Sequence, residues 1–81
     1  MTEADEAYFL YLKDLVHLAK ERARTAKLDA SAASGEERAF RDGVLMGWYS
    51  IISMMQSQAS AFGIPTETLG LDDIDPDRDL T

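Results

Sequence analysis

No cysteine occurs anywhere in the 81 residues, and His17 is the only histidine. A disulfide framework, a thiolate nucleophile and a zinc site built from the chain's own ligands are therefore excluded. Proline is scarce too: Pro65 and Pro76 are the only two, and both lie in the last quarter of the chain. There is no Gly-rich phosphate loop, no nucleophile elbow and no Glu-x-x-His pair. The expectation is a non-enzymatic protein with no cofactor and no metal. The opening Met1-Thr2-Glu3-Ala4-Asp5-Glu6 is acidic where a secretory leader carries positive charge ahead of an apolar run, so a cytoplasmic address is expected.

What is present is a globular composition, 46% hydrophobic against 28% charged, which sets the chain apart from disordered sequences. A chain this short buries only about 60% of its unfolded surface, and without disulfide or metal it depends on helix packing or self-association. The charge falls in blocks. The net value is −7, yet residues 13–27 are basic, with Lys13, Lys20, Arg22, Arg24 and Lys27 against Asp14 and Glu21. Residues 72–81 are acidic, with Asp72, Asp73, Asp75, Asp77 and Asp79 against Arg78. Between them, Gly43 to Thr66 carries no charge at all.

At 100° per residue, Ala4, Tyr8, Tyr11, Leu12, Leu15, Leu18, Ala19, Ala23 and Ala26 fall on one side of a helix, and Glu6, Lys13, His17, Lys20 and Arg24 on the other. Acids in the first turn, with Thr2 or a neighbour as cap, complete a helix over about 3–28. The segment 29–35 is small and polar and reads as a loop. It ends in Ser34-Gly35-Glu36-Glu37, a capping-box pattern that predicts a second start. Beyond it Phe40, Val44, Trp48, Ile51, Ile52, Met55, Ala59 and Phe62 recur at helical spacing, and Gly63-Ile64-Pro65 supplies a left-handed stop. The second helix therefore spans about 35–62.

Two long helices joined by a short loop form an antiparallel hairpin, here a domain over 1–63. Residues 64–81 read as an acidic, extended and partly ordered tail, with Leu69, Leu71 and Ile74 able to pin it to the helices. Each apolar arc is wider than a single partner helix covers, so the fold class expected is all-α, the hairpin pairing with a second copy into a four-helix bundle. A homodimer is the first expectation and a tetramer the next. Val44, Gly47, Trp48, Ile51, Ile52, Met55 and Phe62 are the expected oligomer interface. The uncharged run is no bilayer span, because Ser50, Ser53, Gln56, Ser57, Gln58 and Ser60 crowd its second half.

Lys13, His17, Lys20, Arg24, Met46 and Tyr49 make up the expected surface for a protein partner. The basic stripe either stays solvated or docks the acidic tail of the same or a neighbouring chain. It is also the one feature that suggests nucleic acid, which the overall acidity disfavours. Arg22 and Glu37 lie on the apolar faces and are expected to pair as a buried, register-setting couple near the loop. Gly43 and Gly47, one turn apart, imply close helix packing against Tyr or Phe of the first helix, or else a shallow groove beside Trp48 and Tyr49. The alternating Asp of residues 73–79 resemble a calcium loop only superficially, since Arg78 stands where the turn glycine belongs. The function expected is a small interaction module, an adaptor, regulator or inhibitor acting as a homo-oligomer. The alternatives are a nucleic-acid-associated factor and a binder of small molecules around Trp48, Tyr49, Met54 and Met55.

Overall fold

The computed structural model describes residues 2–81 and is all-helical over them: α1 (Glu3–Ala32), α2 (Gly35–Ala61) and two single-turn helices, α3 (Thr66–Leu69) and α4 (Pro76–Asp79). α1 and α2 pack along their length as a hairpin. Thr2 caps α1 with a complete capping box: its hydroxyl accepts from Asp5 N at 3.1 Å, and its own amide donates to the Asp5 carboxylate at 3.3 Å. The box expected at Ser34 does not form. Ser34 occupies the N-cap position of α2 with no side-chain hydrogen bond, and Glu37 turns instead towards Arg41 at 3.6 Å.

The loop is shorter than the sequence suggests. α1 runs on through Asp29-Ala30-Ser31-Ala32, leaving only Ala33 and Ser34 between the helices. Ala30 is buried there to 1% exposure, so contact with the core overrides the weak local preference for a turn. At the other end α2 stops as expected. Gly63 is left-handed, its amide donates to Ser60 O at 3.0 Å and the Ile64 amide to Ala59 O at 2.8 Å, the paired bonds of a Schellman stop.

The core is made of small residues on α1 and larger ones on α2. Ala19, Ala23, Ala26 and Ala30 form the α1 seam against Leu45 and Ile52 of α2. A seam of alanines brings the two backbones together but fills little volume, and the remaining volume is filled by the C-terminal segment. The tail is not extended: residues 64–81 fold back over the hairpin, and Leu71, Ile74 and Leu80 are each at most 3% exposed. Three apolar side chains, roughly 1.5–3 kcal/mol each when fully buried, outweigh the charge-rich composition that made the segment read as solvated. We call residues 64–81 the strap.

The molecule is long and thin, 52 × 21 × 16 Å, with a radius of gyration of 14.6 Å. A compact chain of this length has about 12 Å. No helix among the described residues is long and apolar enough to cross a membrane.

Candidate interaction surfaces

One flank of the hairpin is occupied by the strap, and Lys20 is its anchor. The sequence pattern places Lys20 on the solvated face of α1, but the structure buries it to 8% exposure beside the alanine seam. Its ammonium donates to Gly70 O at 2.5 Å and to Asp73 Oδ1 at 2.7 Å. Gly70 is left-handed and closes α3, which turns its carbonyl towards the ammonium; an added Cβ would sit 3.8 Å from Nζ. Arg24 donates to Asp73 O at 3.2 Å, and Lys27 to Thr81 O. From α2, Gln56 Nε2 donates to Leu71 O at 3.1 Å and Ile74 O at 2.8 Å, and Tyr49 OH donates to the Asp77 carboxylate.

The alternating aspartates of the strap are thus structural. Asp73 meets Lys20, Asp77 accepts from Tyr49, and Asp75 caps α4 by accepting from Asp77 N at 3.0 Å. Asp79 accepts from Arg78 Nε at 2.8 Å and from Asp75 N at 2.9 Å. Among the described residues no group of three or more acidic or histidine side chains is arranged to hold a metal ion.

These contacts give the strap a pH range. The Asp73 carboxyl lies below its ordinary value, first because Lys20 donates to it and, against partial burial, through the charges of Lys20 and Arg24. Asp79 is pulled down to about 2 by the hydrogen bonds from Arg78 and the Asp75 amide. Carboxyls depressed in the folded state stabilise it above their unfolded value, and that contribution disappears as pH falls towards the folded value. Tyr49 is shifted the other way, upward, by its hydrogen bond to Asp77, that carboxylate's charge, burial and the charge of Asp75. A raised phenol stabilises below its unfolded value and ceases to as pH rises through the folded one. The strap should therefore stay docked from about pH 5 to 9 and loosen on both sides. Methyl resonances of Leu71, Ile74 and Leu80 should hold their positions across that range and move towards random-coil values below it. Shifts that drift continuously through neutrality would contradict this.

The other flank is bare. At 100° per residue Leu18 lies about 160° from Lys20, and Met54 about 160° from Gln56, so these side chains face away from the strap. There Leu15, Leu18, Ala19, Arg22, Trp48, Ile51, Met54 and Met55 line a groove of about 450 Å³ between the helices. A second hollow of about 580 Å³, reached past Arg22 and Trp48, continues it towards Glu21, Asp29 and Val44. Met54 is 61% exposed and Phe40 65%. Such a row of apolar side chains is unusual on a surface that stays wet.

Of the expected interface, Val44, Gly47, Ile51 and Phe62 are exposed, and Trp48 and Met55 are half-buried. Ile52 is not part of that face: it is fully buried in the seam against α1. Of the expected partner surface, Lys20, Arg24 and Tyr49 are engaged by the strap. Lys13 lies over the Phe9 ring at 5.5 Å, His17 approaches Glu21 at 3.4 Å, and Met46 is exposed. The Arg22 to Glu37 couple is absent and both residues are exposed; Glu37 meets Arg41, which also approaches Asp29 at 3.9 Å. A helical wheel gives direction but not depth, and a partner one turn away on the same helix wins. Gly43 and Gly47 do not pack against a ring of α1: open space surrounds the Cβ position of each. Trp48, Met54 and Met55 do share the groove, whereas Tyr49 lies on the strap side. The strap-holding roles of Gln56 and Leu80 escaped the sequence, although Leu80 continues the apolar beat of Leu71 and Ile74.

Compared with known proteins, the chain matches no protein-family model, no curated protein and no solved structure.

Proposed function

We propose that this chain is a non-enzymatic protein-interaction module that works as a homodimer, two hairpins joining through their strap-free flanks into a four-helix bundle. The observation that carries the reading is the apolar groove along Leu15, Leu18, Trp48, Ile51 and Met54, left open on one flank while the strap closes the other. Burying a Leu, Ile or Met side chain is worth roughly 1.5–3 kcal/mol, and a second copy supplies matching surface by symmetry. In the dimer the outer faces, with Lys13, His17 and Met46, remain for an adaptor's or regulator's protein partner. Nucleic acid is the weaker reading, since Lys20, Arg24 and Lys27 already hold the strap.

The test is Ile51→Asp. Ile51 is 39% exposed in the single chain, so the hairpin tolerates the change, while a charge in the dimer interface does not. By sedimentation equilibrium the parent should behave as two copies, and the variant as one copy of 9.0 kDa with its helicity retained. Parent and variant sedimenting alike, in either state, would overturn the reading.

A further inference from the structure

Two copies that each carry a net charge of −7 repel unless they meet where acids are absent. On the strap flank, Asp73, Asp75, Asp77 and Asp79 line the surface; on α1, Glu21 and Asp29 line the hollow on the bare side together with Arg22 and Arg24. α2 is different. From Gly43 to its end it has no charged residue, and its outward side presents Val44, Gly47, Ile51 and Met54. Like charges are farthest apart when this helix is the one brought to the two-fold axis.

The exposed area leaves room for a second copy on that face. The chain exposes 5610 Å². A compact monomer of 9.0 kDa exposes about 4,850 Å², so the excess is roughly 750 Å², close to the ~800 Å² each partner gives to a standard interface. The glycines add a third observation. Each helix-interior glycine costs about 1 kcal/mol relative to alanine, and neither Gly43 nor Gly47 is required by any contact within the chain. A second helix crossing there would account for both.

Resting on the homodimer proposed above, we infer that the uncharged face of α2 is covered by α2 of a second copy, the two helices crossing at the Gly43 to Gly47 turn, with α1 farther from the axis and the strap on the outside. The occupant is this chain itself. A crossing at small residues brings the backbones close, and Phe40 and Met54 then flank the contact on either side.

The absence of native cysteine makes the test direct. A residue on a two-fold axis lies beside its own copy, so a single cysteine there closes a disulfide between chains, while one more than about 7 Å from its mate does not. Gly43→Cys and Gly47→Cys each add a side chain into open space and favour helix over glycine, so both variants fold. Mild oxidation should convert at least one of them almost wholly to a covalent dimer. Leu18→Cys, on the α1 side of the groove, should stay mostly uncrosslinked at the same concentration. Crosslinking at Leu18 and at neither glycine, in a protein whose mass is still two copies, would overturn this inference and leave the homodimer standing. A parent mass of one copy would overturn both.

Discussion

Replacing Ile52 with alanine should cost about 4 kcal/mol and be the most damaging single truncation in the chain. Ile52 is 0% exposed and belongs to the cluster that joins α1, α2 and the strap. It shares the seam with Ala19 and the other alanines of α1, whose methyl groups cannot swing in to fill a hole. The cost therefore belongs in the upper half of the range for buried isoleucine. A domain of this size has roughly 4–12 kcal/mol in total, so the loss removes a third or more of it. Urea unfolding followed by circular dichroism measures the effect: the midpoint should fall steeply for Ile52→Ala and slightly for Ile52→Val, whose cost is about 1 kcal/mol. A near-neutral Ile52→Ala would mean that the alanine seam is not the core.

Lys20→Met should loosen the strap while leaving the hairpin. Methionine keeps most of the lysine's apolar stem but removes the ammonium that holds Gly70 O and Asp73 together. Hydrogen bonds to a charged group are worth about 1.5–3 kcal/mol, and since the Asp73 side chain is 57% exposed the expected loss is about 2 kcal/mol. The consequence spreads beyond the bond. Once the turn at Gly70 is released, Leu71, Ile74 and Leu80 are held less firmly, and the hydrogen-bonded amides of Leu71, Arg78, Asp79 and Leu80 should exchange with solvent about 30-fold faster. Arg24→Ala is the contrast: its contact to the Asp73 carboxylate is 3.6 Å long and half-exposed, so it should cost less than about 1 kcal/mol and leave those amides protected. Equal effects of the two substitutions would show that Lys20 is an ordinary surface charge.

The helices were legible because their signals agree at several levels. The apolar period of α2, the Gly63-Ile64-Pro65 stop and the Thr2 cap all survive in the structure. The start of the loop is not legible because Asp29-Ala30-Ser31-Ala32 has no strong preference of its own, and the burial of Ala30 decides its state. Ser34 matched a capping pattern, but Glu37 had a nearer cation in Arg41. The strap was half visible. Its acids and the bases of α1 are complementary blocks, and Leu71 and Ile74 were in view as pins. What the sequence does not reveal is that Lys20, which the wheel places on the solvated face, points under Gly70 and is buried. The groove residues were legible as a surplus of apolar surface, since a hairpin wheel shows how wide the arc is. It does not show which half the chain covers for itself, and that is why the pattern assigns Ile52 to the oligomer interface and Tyr49 to the partner surface.

In the proposed homodimer the strap-free flank of this hairpin is covered by a second copy, and absolute mass in solution tests that most directly. Light scattering on a sizing column, repeated over a dilution series with helicity followed in parallel, should give twice the chain mass of 9.0 kDa at high concentration. On dilution, mass and helicity should fall together. A chain that stays at 9.0 kDa and fully helical at every concentration would contradict the account.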